Sequence, residues 1–516
     1  PAAAAAVARR ARAAGLGPRG AAGSAPAPRV PPRRPRQDGH RQQLGEAELP
    51  VAVVHRLPEA RHEQHHDGRA RGLLAGEPLK SGAEVFSLPK ELVLTADVAR
   101  AEGTTWASCS RGGAEGPAEI LAPTHTALAL FLLEQRAQGA PWQPWVAVLP
   151  EAFPGFPLFY SQEDLAGLEA SPVRRVMEMD QDSVRRDHES ARAAWADLAL
   201  EDFKWARAAV KSRVFGLRSL SRKALASEVI AMAPLADFVN HPPDGVEVNV
   251  EPSYDASTGT FSMAATRDVA KGEGLYWDYG FKSNRNSLIR YGFTSKRRIA
   301  FTDMPFFFRL LDLPGPPGAT RDLKLQLADE AQREGVLAMN DDGTVMHELA
   351  LTLTGPSVER LLGHMRFMVS QPRNASSLRG ACGDTYCRPL GLQTERQALQ
   401  HLVTLLQAQL DAYATSAADD KALLEGGQVS PGGTARDTLL IRFGEKQILR
   451  GLTRLLGALD PLFELSPWAL EQSLSDRWND QASGIHRYIR ENITSLLEQE
   501  TLRWARRKAA ENRQKA

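Results

Sequence analysis

The sequence predicts an α+β protein in which a β-rich N-terminal lobe, interrupted by a helical insert, is followed by an all-helical C-terminal lobe. Short apolar runs between turn formers, such as residues 71–75 and 85–89, begin near residue 51 and are typical of short strands. Helical spacing of apolar residues first interrupts these runs at residues 126–136. Beyond about residue 300 the helical period dominates, which separates the two lobes.

Length and composition agree with two globular units. The chain has 516 residues, which is too many for one ordinary hydrophobic core. Its 43% hydrophobic and 24% charged residues are typical of a soluble globular protein. A net charge of +1 argues against a nucleic-acid surface over the whole molecule. No long uncharged apolar stretch is present in the sequence, so no membrane span is predicted.

Individual helices are predicted from caps and periodicity. Ser161 together with Glu163 is typical of a helix N-terminus. In the second half of the chain, apolar residues follow the i, i+3, i+4 rule at Ala398, Leu399, Leu402, Val403, Leu406 and Leu410, and again over residues 439–456 and 492–504. Gly- and Pro-rich stretches at 313–318 and 428–433 are predicted to be connecting loops.

The N-terminal segment has a distinct composition. Its first 41 residues contain nine arginines and a single acid, Asp38, among many Ala, Gly and Pro residues. Such a segment buries too little apolar surface to fold, and we expect residues 1–48 to be disordered. A basic, acid-poor start resembles an organelle transit peptide, which predicts a chloroplast location, although an untargeted tail or a gene-model artefact would give the same composition.

Residues 229–293 contain the motifs that indicate chemistry. An apolar run, 229–235, leads directly into Asp237-Phe-Val-Asn-His241. Gly272-Glu-Gly-Leu-Tyr-Trp-Asp-Tyr-Gly280 follows, and then Ser283-Asn284 and Tyr291-Gly-Phe293. In this order the motifs resemble the C-terminal part of a SET domain of the Rubisco large subunit methyltransferase family.

Other segments are similar to the same family and extend the resemblance from about residue 50 nearly to the end. Gly72-Leu-Leu-Ala75 resembles its first hairpin, and Arg442-x-x-Glu-Lys446 resembles a helix of its substrate-binding lobe. The resemblance implies a SET domain over residues 49–298, with a helical insert at about 122–225, and an α-helical substrate-binding domain over 299–516. It also implies a monomeric enzyme that transfers methyl groups from S-adenosylmethionine (SAM) to lysine in a protein.

The resemblance assigns the catalytic roles to two tyrosines. Methyl transfer is an in-line displacement, which requires a held amine and an electron-rich group near the partly positive methyl. Tyr279 is expected to supply the hydroxyl at the transfer point. Tyr291 is expected to line the lysine channel, and it favours lysine because the histidine-modifying relatives depart from Tyr at that position.

The cofactor residues are also carried over from the family. Asn240 and His241 are expected to hold the adenine and amino-acid parts of SAM, and Arg213 to pair with its carboxylate. Asp237 is expected to help accept an ammonium group. The first SAM loop corresponds to Arg69, Ala70 and Arg71, where the family usually has an acid.

Two alternatives keep the same fold. A related enzyme could methylate histidine, and a binding protein could retain the fold without activity if the Arg69–Ala70–Arg71 loop no longer holds SAM. Rubisco large subunit and plastid aldolase are the substrates that the resemblance suggests.

Two further patterns are interpreted as unrelated to metal chemistry. His62-Glu-Gln-His-His66 matches a zinc-protease motif, but Pro58 before it and Asp67-Gly68 after it favour a solvated loop. Cys382 and Cys387 are too few for a closed zinc site and are predicted to be ordinary thiols in a reducing compartment.

Overall fold

The protein is described by a computed structural model. It covers residues 52–56, 71–102, 124–138, 142–193, 195–221, 229–280, 283–295, 303–315, 317–350, 356–371, 375–382, 385–427, 429, 433–466, 469–470, 472 and 488–515. The N-terminal segment 1–48, the His62–His66 motif and the loop residues Arg69 and Ala70 lie outside the described residues.

These described ranges contain ten strands and fifteen α-helices. The strands are β1 (Ala52–Arg56), β2 (Arg71–Ala75), β3 (Glu84–Leu88), β4 (Leu94–Thr95), β5 (Val214–Gly216), β6 (Ile230–Met232), β7 (Val250–Asp255), β8 (Thr260–Ala265), β9 (Met304–Arg309) and β10 (Thr344–Leu349). The helices are α1 (Ala96–Glu102), α2 (Thr124–Gln138), α3 (Gln143–Val146), α4 (Gln162–Ala166), α5 (Pro172–Ala191), α6 (Leu200–Arg213), α7 (Leu217–Leu220), α8 (Asn284–Tyr291), α9 (Ala319–Arg333), α10 (Pro356–Val369), α11 (Ala375–Cys382), α12 (Leu392–Asp411), α13 (Ala417–Glu425), α14 (Thr434–Leu459) and α15 (Ser495–Lys515).

The N-terminal lobe contains small antiparallel sheets, as predicted. β3, β8 and β7 form one three-stranded sheet, and β4, β6 and β5 form another. β8 alternates between buried and partly exposed positions, and Phe261 and Met263 face the core. This period-two pattern is that of a sheet with one covered face. One continuous core joins these sheets to α2 and α6.

Helix ends follow the local sequence. Ser161 caps α4 in a capping box, although its reciprocal partner is Asp164 rather than Glu163. Ser171 caps α5, and Pro172 occupies the first turn, where its missing N–H leaves no hydrogen bond unmade. The helices from α2 to α7 fall within the range predicted for the insert, whose boundaries stay a prediction.

The C-terminal lobe is mainly helical, with α12 packed between α10 and α14, but it is not all-helical as predicted. β9 and β10 form an antiparallel pair in which Met304 faces Leu349 and Arg309 faces Thr344. Their buried side chains join the core of this lobe. The prediction was wrong because 34 residues separate the two strands, so no hairpin turn marks them in the sequence.

Buried polar contacts join the two lobes. Ser171 donates a hydrogen bond to Glu445 on α14 at 2.9 Å, and Tyr413 donates to the other carboxylate oxygen at 2.8 Å. Thr294 donates to Asp437 at 2.5 Å. A small apolar cluster lies between the lobes beside these contacts. Because these groups are buried at the junction, their hydrogen bonds hold α14 against the N-terminal lobe.

The two cysteines of the C-terminal lobe are not free thiols. Cys382, at the end of α11, is bonded to Cys387, with Cα atoms 4.2 Å apart. The prediction of ordinary thiols was wrong because the chain turns back after α11, with the backbone N–H of Thr385 donating to Cys382 O at 3.0 Å. Among the described residues, none of the helices has the length and hydropathy needed to cross a bilayer.

Candidate active site

The Asn-His pair lies beside the segment that carries Tyr279. After β6, the chain passes Leu235, whose φ of 74° is unusual for a residue with a side chain. A 3₁₀ turn, Ala236–Phe238, then brings Asn240 against Tyr276 as a parallel bridge. The N–H of Trp277 donates to Asn240 O at 3.0 Å. Two distant motifs of the sequence are thereby placed side by side.

The opposite edge of this segment is bonded to β2. The N–H of Leu275 donates to Leu73 O at 2.8 Å, and the N–H of Ala75 donates to Glu273 O at 2.9 Å. The segment 272–279, named here the tyrosine segment, therefore runs between β2 on one side and Asn240 on the other. Arg71 begins β2 and pairs with Arg56 of β1, so its backbone belongs to this layer.

Asn249 fixes the tyrosine segment by its side chain. Its amide nitrogen donates to Gly274 O at 2.7 Å, and its amide oxygen accepts from the N–H of Tyr276 at 2.8 Å. The residue is fully buried. An asparagine is the natural choice here because its side chain mimics a neighbouring peptide group. Sequence reasoning missed this residue, since nothing in the motif pattern distinguishes it from a loop asparagine.

Tyr279 is enclosed by the Asn-His segment. Its hydroxyl donates to Val239 O at 3.2 Å, and its backbone N–H donates to His241 Nδ1 at 3.4 Å. The ring centroids of His241 and Trp277 lie 5.5 Å and 5.1 Å from that of Tyr279. Burial raises the pKa of Tyr279 well above its usual value. The phenol is therefore neutral at physiological pH and does not serve as a proton acceptor.

Tyr291 completes the cluster from the end of α8. Its ring centroid lies 4.6 Å from that of Tyr279 and 6.0 Å from that of Phe293. Gly292 turns the chain between them with a φ of 77°, and a Cβ there would approach the ring of Phe156 to 2.6 Å. Glycine is required at this helix end by both the conformation and the space. The predicted pair of tyrosines is thus brought together.

Arg213 and Asp237 form a buried ion pair behind these rings. Arg213 Nη1 donates to the backbone oxygen of Asp237 at 2.5 Å and lies 3.2 Å from its Oδ2. Trp145 Nε1 also donates to Oδ2, at 3.3 Å. The Asp237 side chain is 0% exposed, and burial raises its pKa although Arg213 opposes that shift. Oδ2 of this carboxylate thus faces Arg213 and Trp145, and the contact of Asp237 with an ammonium group stays a prediction.

Three buried polar atoms in this cluster have no hydrogen-bond partner among the residues that the structure describes. They are Arg213 Nε, Asp237 Oδ1 and Trp277 Nε1. Unpaired buried polar atoms of this kind, two donors and one acceptor, are rare in folded proteins and fit a site that receives a polar ligand. The sequence analysis did not single out Trp277, although it precedes Tyr279 by two residues. Its ring stacks on that of Phe215, with the two centroids 5.3 Å apart.

Of the nine predicted site residues, six are brought together: Arg213, Asp237, Asn240, His241, Tyr279 and Tyr291. Arg69 and Ala70 are not described, and for Arg71 only the backbone is. Within the described ranges, no group of three or more His, Cys, Asp or Glu residues could hold a metal ion.

Family models match both lobes. The SET domain model matches residues 70–280, and the Rubisco LSMT substrate-binding model matches residues 319–449. Among solved structures, Rubisco LSMT bound to AdoMet superposes with a TM-score of 0.60 at 19% identity, covering 83% of this chain and 91% of that one. The SET domain of LSMT bound to lysine and AdoHcy gives 0.59 at 18% identity, covering 81% and 92%. The fold is that of LSMT, as predicted.

Two curated relatives are 23–24% identical to this chain and differ in their named targets. The actin-histidine N-methyltransferase of Danio rerio is 24% identical over 402 residues, covering 73% of this chain and 62% of that protein. The chloroplastic fructose-bisphosphate aldolase-lysine N-methyltransferase of Arabidopsis thaliana is 23% identical over 381 residues, covering 68% and 71%. The chain thus spans less than two thirds of the length of the actin-histidine relatives.

Proposed function

We propose that this chain, which belongs to the SET-domain proteins that carry a Rubisco LSMT substrate-binding domain, is a SAM-dependent protein-lysine methyltransferase. The observation that carries the proposal is the convergence of Asn240, Tyr279 and Tyr291 in one cluster. Tyr279 and Tyr291 have ring centroids 4.6 Å apart, and Asn240 bonds to the residue two positions before Tyr279. These are the groups that a methyl-transfer site requires.

Residues of this chain would hold the cofactor at the Arg213 side of the cluster. SAM supplies an electrophilic methyl group on a sulfonium. The guanidinium of Arg213 has an unpaired Nε, and its planar geometry suits a carboxylate. Asp237 holds this guanidinium in place through their ion pair. We therefore assign Asp237 as a positioning residue. Asn240 and His241 would line the remainder of this site through their backbone and side-chain groups.

Tyr279 and Tyr291 would receive the lysine. The neutral Tyr279 hydroxyl offers lone pairs to the partly positive methyl group, and its ring packs against that of Tyr291. The two rings form apolar walls that suit the methylene stem of lysine. Because Tyr279 stays protonated and Asp237 is paired with Arg213, neither accepts the lysine proton, and channel water is the remaining acceptor.

Replacement of the Tyr279 hydroxyl tests the proposal. Tyr279→Phe should lower turnover by about tenfold or more while SAM affinity persists, because the hydroxyl acts on the transferring methyl group and its hydrogen bond to Val239 O positions the ring rather than the cofactor. Tyr254→Phe is a matched control, since Tyr254 lies on β7 and is a partly buried residue that packs against the core of the same lobe. Equal turnover of the Tyr279→Phe variant and the wild type would remove the assignment.

Histidine is the second candidate for the modified residue, because relatives named for actin-histidine methylation are as similar to this chain as the aldolase-lysine relative. Tyr291 favours lysine, since its hydroxyl and ring narrow the site beside Tyr279. Peptides that differ only in a lysine or a histidine at the target position separate the two. Methyl transfer to the histidine peptide alone would establish the second candidate.

The protein substrate is proposed from the C-terminal domain and the named relatives. Aldolase and Rubisco large subunit are the first substrates to assay, and a plastid location would agree with the chloroplastic relative and the arginine-rich N-terminal segment. A catalytically inactive binding protein is the remaining alternative. Calorimetric titration with SAM distinguishes it, because an inactive site that has lost the cofactor would release no heat.

A further inference from the structure

The final helix, α15, extends beyond the C-terminal lobe. Leu496 and Leu497 in its first turn are buried, but every described side chain from Thr501 to Arg513 is exposed. These residues, named here the arm, span about 20 Å of helix. An isolated helix of this length is only marginally stable in water. Because the arm packs no face against the lobe, we infer that it serves as a contact surface for a partner.

The arm is strongly basic. Residues 501–513 contain five basic residues and one acid, Glu511. Within the part of the chain that the structure describes, Arg506, Arg507, Lys508 and Arg513 have no carboxylate partner, whereas Arg503 pairs with Glu500 at 3.0 Å. The net charge of +1 for the whole chain does not reveal this local excess of positive charge. Unpaired cations on a projecting helix attract a polyanion.

The cations surround the helix rather than follow one face. At about 100° per residue, Arg507 and Arg513 are about 120° apart, and Lys508 lies about 140° from Arg513 on the other side. An acidic protein surface would contact one side and leave the other cations unpaired. A nucleic-acid groove presents phosphates on both walls, and it is wide enough in duplex DNA to admit a helix. The arrangement therefore favours nucleic acid.

The exposed apolar side chains agree with this choice. Leu502 is 59% exposed and Trp504 is 56% exposed, but they lie about 160° apart around the helix. A helix that lies on a membrane needs its apolar residues on one face, which this arm lacks. Lys508 Nζ lies 4.5 Å from the Trp504 ring, and exposed aromatic rings interleaved with cations are typical of nucleic-acid contacts.

We propose that the arm is a nucleic-acid-binding element that contacts the phosphate backbone through Arg506, Arg507, Lys508 and Arg513. Four phosphate contacts predict that log Kd against log salt has a slope of about 3.6, so affinity falls roughly 150-fold from about 50 mM to about 200 mM salt. The binding is independent of the methyl-transfer site. SAM titration and turnover on a peptide are therefore unchanged when the arm is altered.

The experiment uses the full chain and fluorescence anisotropy with labelled duplex RNA and duplex DNA of about 20 base pairs, a length that exceeds the arm. Arg506→Glu/Arg507→Glu/Lys508→Glu should weaken binding by about tenfold or more and flatten the salt slope. Arg388→Glu/Arg450→Glu/Arg454→Glu is the matched control, since it changes the formal charge equally at exposed positions of the same lobe. The control should retain wild-type affinity for the duplex that binds more tightly.

Several outcomes would overturn the proposal. They are an absence of binding to either duplex at low salt, an equal loss in both variants, or tighter binding to poly-glutamate or to anionic vesicles than to the duplexes. The milder variant Arg506→Gln/Arg507→Gln/Lys508→Gln, checked by circular dichroism, separates loss of contacts from loss of the helix. Binding through the arginine-rich N-terminal segment is common to all variants and cancels in the comparison.

Discussion

Arg213→Lys is expected to weaken SAM binding by about 10- to 150-fold. Lysine keeps the positive charge beside Asp237 but lacks the planar fork, which in the proposed complex would bond Asp237 and the SAM carboxylate at once. One hydrogen bond to a charged group is worth about 1.5–3 kcal/mol. Each 1.4 kcal/mol corresponds to about tenfold in affinity, which gives the stated range.

Lysine is a better replacement than alanine because of the buried partner. The Asp237 side chain is 0% exposed, and it contacts Arg213 and Trp145. Removal of the positive charge would leave a buried carboxylate without compensation, which destabilises proteins by about 3–5 kcal/mol. An alanine variant would therefore confuse a loss of folding with a loss of ligand binding.

Isothermal titration with SAM is the assay, and Arg207→Lys is the control. Arg207 lies on the same helix, α6, and its guanidinium donates to Asp187 at 2.9 Å and to Thr126 at 2.7 Å, away from the tyrosine cluster. The control variant should bind SAM as the wild type does. If Arg213→Lys also binds SAM with wild-type affinity, Arg213 does not contact the cofactor.

Three other predictions concern stability. Glu395→Gln breaks the buried pair in which Arg366 Nε and Nη2 contact both carboxylate oxygens at 2.6 and 2.7 Å, and it should lower the free energy of unfolding in urea by about 3–5 kcal/mol. Burial raises the pKa of Glu445 from 4.5 to about 7, so the folded protein holds a proton that the unfolded chain has released. Stability should therefore fall as pH rises from about 4.5 to about 7, and Glu445→Gln should make the urea midpoint less dependent on pH in that window. Gly292→Ala places a Cβ 2.6 Å from the Phe156 ring at a φ of 77°, and it should lower the thermal midpoint and turnover together by destabilising the end of α8 by roughly 1–3 kcal/mol. Wild-type stability of the Glu395→Gln or Gly292→Ala variant would contradict the expectation for that variant. A urea midpoint of Glu445→Gln that depends on pH as strongly as that of the wild type would contradict the third.

The local patterns of the sequence were sufficient for the helices that were predicted from them. Leu399, Leu402 and Leu406 have the predicted period, and all three are buried on α12. The tyrosine cluster was predicted because its residues belong to motifs whose order along the chain resembles that of a known family. In both cases, the information lies in residues that are close in sequence or have a recognisable order.

The missed features depend on contacts between distant segments. Asn249 acquires its role only because the tyrosine segment passes beside it, and an isolated asparagine carries no sign of that partner. Glu445 looks like a surface acid in a helical pattern, yet Ser171 reaches it from the other lobe. Cys382 and Cys387 were misjudged because the turn at Thr385 that joins them has no strong signature in the sequence. Tertiary packing determines the contacts of such residues, and hydrophobic periodicity carries no information about those contacts.

The layered arrangement around the tyrosine segment has a consequence for how this protein folds. Leu73 and Leu275 are bonded although about 200 residues separate them along the chain, so closure of this layer carries a large loop entropy and comes late in folding. A ligand that needs the finished layer binds only the folded state. Its binding energy is therefore added to the stability of the whole N-terminal lobe, by about 2.7 kcal/mol at a ligand concentration 100 times Kd.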